Sequence, residues 1–443
     1  MKRVLSLLLI AFCTGSIRAE DWPSWRGPRL DGTSLEKNLP IKWSVVKDKK
    51  TGVETMDNIA WRAPIAGNGH SSPIVHGDHI FLTTCLTKEQ KRVLVCLDRR
   101  DGKVRWQREV ALSPLEPRHG LNSYSSSTPA TDGKHVFVAF LRLRKKADND
   151  GPALKPRIKS SVSPDLVPEM IVAAYDFAGT KVWEKTPGRF YSPHGFCSTP
   201  ILYKDKVIIN GDQDAAAYIV ALDKETGDEK WRIDRPNRTR SYCVPIIVEA
   251  GGKTQMVLSG SESFTSHDPD TGAPIWNFKG PTEQFVASVV YGDGLFFMTC
   301  GFPTYHNLAV RPDGVGDITK SHTQWHESKT SDKKAAYVPS PLAVGKSFYM
   351  ISDRGWLSCF EAQTGKRHFM EQLGRHHSAS PVLAGGHVYL TDDDGITYVL
   401  PGDDAFNVVS RNPLGDECYS SPAVSQGQLF IRTLNHLYCV GKK

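Results

Sequence analysis

The chain has 443 residues, of which 40% are hydrophobic, and its 55 lysines and arginines exceed its 48 acidic residues to give a formal net charge of +7. This small basic excess is not concentrated on one element, as it is in nucleic-acid-binding proteins, so no nucleic-acid partner is expected. After the N-terminal segment, no run stays apolar over the roughly 20 residues that a membrane-spanning helix needs, so no transmembrane segment is expected.

Residues 1–19 have the order of a secretory signal. Basic residues precede an apolar run that ends at Cys13, and a polar stretch ends at Ala19. Cleavage after Ala19 is expected to leave an exported chain that begins near Glu20 and resides in the periplasm or cell envelope, or is secreted. A lipoprotein signal that ends at Cys13 is the alternative, although Phe12 stands where a small residue is expected.

Residues 20–57 are predicted to form an N-terminal arm outside the repeated part of the chain, which spans residues 58–443. The arm opens with Asp-Trp-Pro-Ser-Trp-Arg-Gly-Pro at residues 21–28. Three tryptophans of the arm are expected to cover apolar surface: Trp22, Trp25 and Trp43.

An eleven-residue motif recurs along the chain and indicates the fold class. Its full copy, residues 221–231, reads Ala-Leu-Asp-Lys-Glu-Thr-Gly-Asp-Glu-Lys-Trp. The aspartate can cap a tight turn, the glycine takes the positive φ of that turn, and the tryptophan falls on the following strand. Variants of the motif lie at residues 96–106, 174–183, 266–276 and 359–369, and a degenerate copy runs from Ala309 through Gly314 towards Trp325.

Eight strand starts, half of them a pair of small polar residues followed by proline, mark eight repeating units. Proline is tolerated at the first residue of a strand, because its missing N–H removes no ladder bond there. Apolar strands and Gly/Asp turns follow each start, which predicts four short antiparallel strands per unit, the pattern of a β-propeller blade. The starts lie at residues 71–73, 127–129, 198–200, 243–245, 287–289, 339–341, 379–381 and 420–422.

The ring is predicted to close through a strand near the N-terminus. The last unit ends at Gly441 without room for a fourth strand, whereas residues 58–65 resemble the outer strand of a unit that lacks its own beginning. Pairing the two removes an open sheet edge. We therefore predict an all-β, eight-bladed β-propeller of four-stranded antiparallel blades. Seven blades is the alternative, because the unit from His377 to Val409 lacks the glycine and tryptophan of the motif.

The motif resembles the tryptophan-docking repeat of the pyrrolo-quinoline-quinone (PQQ) propeller superfamily, from about Asn58 to Gly441. The chain is most similar to the non-catalytic branch that contains BamB, the propeller of the outer-membrane-protein assembly machinery; quinoprotein alcohol and glucose dehydrogenases form the enzymatic branch. The opening at residues 21–28 resembles the start of many exported bacterial proteins of this kind. The resemblance implies that an aromatic residue of each motif docks between neighbouring blades. The implied docking residues are Trp61, Trp106, Trp183, Trp231, Trp276, Trp325 and Phe369.

The mature chain is expected to contain eight cysteines, an even number that in an exported protein raises the question of disulfides. Cys96, Cys359 and Cys439 align with Ala221, a position that takes a small buried side chain, so they are predicted to be reduced and buried. A disulfide between Cys85 and Cys96 is the alternative, because they flank one hairpin.

Two aspartate-rich segments resemble calcium loops but are interpreted as turns. Residues 392–395 align with the hairpin turn at residues 352–355 and lack the downstream bidentate acid of a calcium loop. Residues 148–151 lie in a charged, proline-rich segment, 143–169, that is predicted to be a polar insertion in the second blade. No metal site is therefore expected.

The loops before the innermost strands are predicted to converge at one mouth of the central channel. Several histidines, arginines and tyrosines in these loops would then face one concave site, which indicates a ligand site. The alternative is that the loops are polar because the channel contains water. The candidate residues are His70, Arg118, His119, His194, Arg240, Tyr242, Arg375, His376 and Glu417.

A bound quinone is not expected. Its carboxylates could pair with Arg118, Arg240 or Arg375. However, the dehydrogenases that the chain resembles typically use an adjacent Cys-Cys pair in the alcohol-oxidising branch, a calcium site of Glu, Asn and Asp, and an aspartate base. The sequence contains no Cys-Cys pair, and the other groups cannot be placed on it. No Gly-x-Ser-x-Gly motif indicates a hydrolase.

The sequence favours a non-catalytic binding or scaffold protein of the bacterial cell envelope, monomeric, without a cofactor, and with other envelope proteins as partners. Two alternatives stay open. One is a PQQ- and calcium-dependent dehydrogenase, and the other is a propeller that binds a carbohydrate or another small ligand without redox chemistry.

Overall fold

The strands of the molecule follow the predicted repeat in order around a ring. The computed structural model describes residues 20–148, 150, 156–157 and 161–442. Within them all regular secondary structure is β-strand, and eight four-stranded antiparallel sheets form the blades of a propeller. These residues contain no helix that is long and apolar enough to span a membrane. The predicted signal peptide lies outside the described residues and stays a prediction.

In blades 1 to 4 a short innermost strand lines the channel and three further strands lead to the rim. From the channel outwards, the strands are Ile74–His76, His79–Leu86, Lys91–Asp98 and Val104–Leu112 in blade 1; Ala130–Thr131, His135–Lys145, Leu166–Asp176 and Lys181–Arg189 in blade 2; Ile201–Tyr203, Lys206–Gly211, Ala217–Asp223 and Glu229–Arg235 in blade 3; and Ile246–Ala250, Lys253–Gly260, Ser263–His267 and Pro274–Lys279 in blade 4.

Blades 5 to 8 repeat this order, and blade 8 takes its outer strand from the N-terminal part of the chain. The strands are Val290–Gly292, Leu295–Gly301, Tyr305–Val310 and Thr323–Thr330 in blade 5; Leu342–Val344, Ser347–Ile351, Trp356–Glu361 and Arg367–Gln372 in blade 6; Val382–Ala384, His387–Thr391, Ile396–Pro401 and Ser410–Pro413 in blade 7; and Ala423–Ser425, Gln428–Arg432, His436–Val440 and Ile59–Pro64 in blade 8. A hairpin of the arm, Ser44–Lys47 with Glu54–Asp57, stands outside the blades.

The predicted ring closure is confirmed. Ile59–Pro64 pairs antiparallel with His436–Val440, and Trp61 lies opposite Cys439. The seven-blade alternative is wrong, because residues 382–413 form four paired strands although they lack the glycine and tryptophan of the motif.

The connection predicted as residues 143–169 is shorter in the structure. In blade 2 the two strands beside it pair continuously from His135 opposite Asp176 to Lys145 opposite Leu166. The hydrogen-bonded ladder thus continues into the charged segment at both ends, which residue composition alone did not indicate.

The recurring motif builds a turn that receives a tryptophan from the preceding blade. In its full copy the Asp223 carboxylate accepts two backbone amide hydrogens, at 2.8 and 3.1 Å, and Gly227 has a φ of 74°. A Cβ atom at Gly227 would lie 2.7 Å from the Trp183 indole, so glycine is needed both for the turn and for the indole packed on it. The Trp183 Nε1–H donates to the Lys224 carbonyl at 2.8 Å.

The same contact joins five pairs of neighbouring blades. Each indole N–H donates, at 2.7–3.2 Å, to the carbonyl that directly follows the acidic residue of the next blade's motif. Each indole thus contributes a hydrogen bond as well as apolar contact between blades. The donor and acceptor residues are Trp61 and Arg99, Trp106 and Phe177, Trp183 and Lys224, Trp231 and Pro269, and Trp325 and Ala362.

Two of the predicted docking residues make different contacts. The Trp276 Nε1–H donates to the Gln255 side chain of its own blade at 2.8 Å. A short strand from blade 5, Gly316–Asp317, pairs in parallel beside Trp276 where a docking turn would otherwise lie. Phe369 has no ring N–H and packs on Phe406 of blade 7, with ring centroids 5.4 Å apart.

Replacing Trp61 by alanine should lower the free energy of unfolding by about 3–5 kcal/mol, because a nearly buried indole between the last and first blades loses its packing and its hydrogen bond. Chemical denaturation measures this change. Val315→Ala, at an exposed position, is the control and should change the free energy by less than about 0.5 kcal/mol. Unchanged stability of the Trp61 variant would contradict a role in closing the ring.

A second set of contacts runs around the channel through the small polar residue of each strand start. The backbone N–H of this residue donates to the hydroxyl oxygen of the corresponding residue in the next blade, at 2.8–3.2 Å. The hydroxyl thus satisfies an amide that lies outside the strand ladder. The donor and acceptor residues are Ser72 and Thr128, Thr128 and Thr199, Val244 and Ser288, Ser288 and Ser340, Ser340 and Ser380, Ser380 and Ser421, and Ser421 and Ser72.

This hydroxyl ring is interrupted between blades 3 and 4, where Val244 stands in place of a hydroxyl residue. Val244→Thr should complete the ring and raise the free energy of unfolding by about 0.5–1.5 kcal/mol, because threonine has nearly the shape of valine and adds an acceptor for the Thr199 amide. Ser380→Ala should lower it by about 1–3 kcal/mol, since the buried Ser340 amide loses its acceptor. Chemical denaturation of both variants tests the ring, and the reverse order of stability would contradict it.

None of the eight cysteines in the described residues forms a disulfide, and seven of them are buried. The alternative disulfide is absent because Cys85 lies opposite Arg92 and Cys96 opposite Phe81 in the paired strands. Burial raises the pKa of the Cys96 thiol to about 12, as expected for a small side chain in an apolar position.

Candidate functional site

A cavity of about 630 Å³ lies at the channel mouth, where the loops before the innermost strands converge. All eight blades and the N-terminal arm contribute to its wall. Its volume falls within the roughly 300–1,000 Å³ that is common for small-ligand sites. The aromatic and imidazole side chains of the wall are Trp25, His70, His119, His194, Tyr242, Phe302, Tyr305, Tyr337, His376 and Tyr419.

The N-terminal arm crosses the channel at the end opposite these loops. Trp22 exchanges two backbone hydrogen bonds with Val75 in the innermost strand of blade 1, both at 2.9 Å. Trp25 and Leu30 pack against the apolar cluster between blades 3 and 4, and the Leu383 amide of blade 7 donates to the arm at 2.9 Å. The arm therefore closes this end of the channel, and Trp25 forms part of the cavity wall.

A buried arginine holds the arm in the channel. The Arg26 guanidinium is 2% exposed and donates to the carbonyls of Pro381 at 3.1 Å and Ser340 at 3.4 Å, and also to that of Pro341. These carbonyls belong to the strand starts of blades 6 and 7. Burial lowers the pKa of Arg26 to about 10, so the group stays charged at neutral pH and satisfies backbone acceptors of the channel wall.

Two histidines from blades 2 and 3 meet at one side of the cavity. The rings of His119 and His194 lie edge to face with centroids 5.6 Å apart, and His194 stacks on Tyr242 at 6.1 Å. Arg240 donates through Nε to His194 Nδ1 at 3.4 Å and through Nη1 to the buried Asp214 at 2.9 Å. Burial, with the nearby charge of Arg240, lowers the pKa of His194 to about 4, so its imidazole is neutral at neutral pH.

A third histidine lies where blades 8 and 1 meet. His70 stacks on Tyr419 with ring centroids 4.5 Å apart. Nearby Arg432 is 1% exposed and donates to the carbonyls of Ser71 and Thr83, at 3.1 and 2.7 Å. Burial and the charge of Arg432 lower the pKa of His70 to about 3.

The acids of the cavity wall accept hydrogen bonds from protein donors. Asp353 accepts the amide hydrogens of Tyr337 and Val338, at 2.7 and 3.2 Å, and burial raises its pKa. Asp332 accepts from Arg354 Nε at 3.1 Å. Their hydrogen-bonding capacity is thus partly used within the loops of blade 6.

Three of the predicted ligand-site residues do not line the cavity. Arg118 donates to carbonyls of its own loop, and the exposed Arg375 pairs with Asp394 at 3.1 Å. Glu417 is exposed and accepts the Tyr419 hydroxyl at 3.0 Å. A position before an innermost strand indicates the face of the propeller, but it does not determine the direction of a long side chain. The predicted residues that line the cavity are His70, His119, His194, Arg240, Tyr242 and His376.

Several lining residues were not among the predicted candidates, and they include Trp25, Phe302, Tyr305 and Asp353. Phe302, Tyr305 and Asp353 lie at hairpins between the second and third strands of blades 5 and 6. In a propeller these hairpins share a face with the loops before the first strands, so the blade pattern could have identified them. Trp25 carries no comparable signal, because the arm is not part of the repeat.

Both aspartate-rich segments are held by contacts within the protein. Asp392 accepts the Ile396 amide and the Tyr398 hydroxyl, at 2.8 and 3.2 Å, and Asp150 pairs with Arg144 at 2.7 Å. Among the described residues no group of three His, Cys, Asp or Glu side chains is arranged to hold a metal ion. Asn149 and Gly151 of the second segment lie outside the described residues.

A family model described as outer membrane protein assembly factor BamB matches residues 45–149, 168–297 and 315–408. The chain belongs to this BamB family. A curated relative, sulfite oxidase from Gallus gallus, is 24% identical over 189 residues, 40% of this chain, and the match spans about a third (33%) of that relative.

Solved structures share the propeller fold. BamB from Moraxella catarrhalis aligns with a TM-score of 0.55 over 86% of this chain and 96% of its own. A europium-containing methanol dehydrogenase aligns at 0.59, over 94% and 90% of the two chains. Quinohemoprotein alcohol dehydrogenase from Comamonas testosteroni aligns at 0.62, over 96% and 81%. Each is 12% identical, so the likeness establishes the fold alone.

Replacing Arg26 by methionine should release the arm from the channel, because the buried carbonyls of blades 6 and 7 lose their donor, at a cost on the order of 2 kcal/mol or more. Hydrogen exchange should show lost protection at the backbone amides of residues 22–34. Lys42→Met, at an exposed position of the arm, is the control and should keep that protection. An arm that stays protected without Arg26 would contradict this role.

Proposed function

We propose that this BamB-family propeller is a non-catalytic binding protein of the bacterial cell envelope that holds a small ligand in the cavity at its channel mouth. The closure of the channel by the arm carries the proposal. With Trp25 in the wall and Arg26 bound to channel carbonyls, the cavity has an entrance at the loop face and a closed far end. Such a site suits the retention of a ligand better than passage through the ring.

Three titratable groups of the wall are poor catalysts at neutral pH. Burial raises the pKa of the Cys197 thiol to about 12, so almost no nucleophilic thiolate forms. His70 and His194, with pKa values of about 3 and 4, are weak bases. These shifts support binding rather than acid–base or nucleophilic chemistry.

The residues that could hold PQQ are engaged elsewhere. Arg240 pairs with the buried Asp214, Arg118 binds its own loop, and Arg375 pairs with Asp394 outside the cavity. The described residues also offer no set of three acidic or histidine side chains for the calcium ion of the enzymatic branch. This residue set does not fit the quinone and its calcium, which supports a function without them.

Family membership supports a place in the envelope. We propose that the chain is exported after cleavage at Ala19 and, as a monomer, contacts other envelope proteins there. Glu20 is the first residue after the proposed cleavage site. Its carboxylate accepts a hydrogen bond from Arg29 Nη1 at 2.6 Å, and its backbone N–H donates to the Glu36 carboxylate at 2.7 Å. The arm is thus held from its proposed first residue onwards.

A PQQ-dependent dehydrogenase is the second candidate, because two dehydrogenases share the fold. The purified exported protein, mixed with PQQ, calcium and an alcohol or sugar, should not reduce an artificial electron acceptor. Dye reduction that needs PQQ and is lost in Arg240→Gln, but not in the exposed control Arg375→Gln, would overturn the non-catalytic function. Tight PQQ binding without turnover would leave a binding protein whose ligand is a quinone.

A further inference from the structure

We infer that the cavity ligand is an uncharged, hydroxyl-rich ring compound, in its simplest form a mono- or disaccharide. The inference rests on the proposed binding function and narrows the class of ligand. It follows from the charges, the hydrogen-bond donors and the aromatic surfaces of the wall.

The main charged groups of the wall already have protein partners. Arg240 and Asp214 form an ion pair at 2.9 Å, and neither side chain is more than 6% exposed. Nearer the rim, Arg354 pairs with Asp332 at 3.1 Å. An anionic ligand would have to disrupt such a pair or lose hydration without compensation, and both cost free energy. An uncharged ligand avoids this cost.

In their neutral form, His119 and His194 both present an N–H donor away from their protein contacts. Leu121 donates its amide hydrogen to His119 Nδ1 at 3.2 Å, and Arg240 Nε donates to His194 Nδ1 at 3.4 Å. An Nδ1 atom that accepts a hydrogen bond carries no hydrogen, so the ring hydrogen lies on Nε2. Two such donors on adjacent blades suit neighbouring oxygens of one sugar ring.

The hydroxyl ring adds further donors around the channel axis. Six of its hydroxyl residues line the cavity. Thr199 donates its hydroxyl hydrogen to the Cys197 carbonyl at 3.4 Å, whereas the other five each accept an amide hydrogen from the preceding blade. In the described part of the chain, none of these five hydroxyls donates its own hydrogen to a protein acceptor. A ligand rich in oxygen acceptors would satisfy them. The five residues are Ser72, Thr128, Ser340, Ser380 and Ser421.

A sugar ring has a polar edge and apolar C–H faces, and the aromatic side chains of the wall can pack against those faces. Trp25 lies towards the closed end, and Tyr242, Tyr337 and Tyr419 stand around the wall. Tyr419 is held in place by stacking on His70 at 4.5 Å. These flat surfaces suit the faces of a sugar ring, while the hydroxyls and imidazoles suit its edge.

The test is isothermal titration calorimetry of the exported protein with glucose, maltose, cellobiose and N-acetylglucosamine, and with glucuronate as the anionic counterpart of glucose. We expect at least one neutral sugar to bind with a Kd below about 1 mM and at least about tenfold more tightly than glucuronate. His194→Phe keeps a flat ring but removes the N–H donor, and it should weaken this binding about fivefold to tenfold. His368→Phe, at an exposed position on the outer strand of blade 6, should not.

The outcomes separate this inference from the proposed function. Glucuronate or PQQ binding more tightly than every neutral sugar would overturn the ligand class and leave a non-catalytic binding protein. No binding of any of the four sugars at about 10 mM, by protein whose thermal unfolding confirms that it is folded, would also overturn the ligand class. PQQ-dependent dye reduction would instead overturn the proposed function itself.

Discussion

The hydrogen bonds between backbone amides and hydroxyl groups around the channel set the geometry on which the other contacts depend. The innermost strands have only two to five residues, so the amides just before them need acceptors outside the strand ladder. The hydroxyl of the next blade supplies each acceptor, and the seven bonds form one continuous series from Val244 around the ring to Thr199. Each bond fixes the distance between two neighbouring blades at the axis. The width of the channel and the positions of the cavity loops follow from it.

The docked tryptophans also join neighbouring blades, farther from the channel axis. Where such a tryptophan contact is missing, another element packs in its place. Blade 4 is covered by the extra strand Gly316–Asp317. At blade 7, where the motif is lost, Trp43 of the arm stacks on Tyr389 at 6.4 Å and donates its backbone N–H to the Asn412 side chain at 3.0 Å. The arm therefore completes the ring at its least regular blade as well as closing the channel.

The blade architecture was predictable because each unit carries its own local signals. The aspartate and glycine of a turn and the proline of a strand start act within a few residues, and repetition supplies the rest. The positions of the loop histidines followed from the same pattern. Trp25 and Arg26 could not be placed, because Arg26 binds carbonyls more than 300 residues away along the chain. The directions of the Arg118 and Arg375 side chains could not be predicted either, since Arg118 donates to carbonyls of its own loop and Arg375 pairs with Asp394.

The buried arginines connect the stability of the ring to the character of the cavity. The carbonyls of the channel wall need donors that the hydroxyl ring does not provide, and Arg26 and Arg432 supply them. Burial lowers their pKa values to about 10 and 9, yet both stay charged at neutral pH. The charge of Arg432 then helps to hold His70 in its neutral form. The requirement to satisfy backbone carbonyls thus disfavours protonation of His70. A ligand that needs a cationic His70 would bind less tightly, because protonating that imidazole costs free energy.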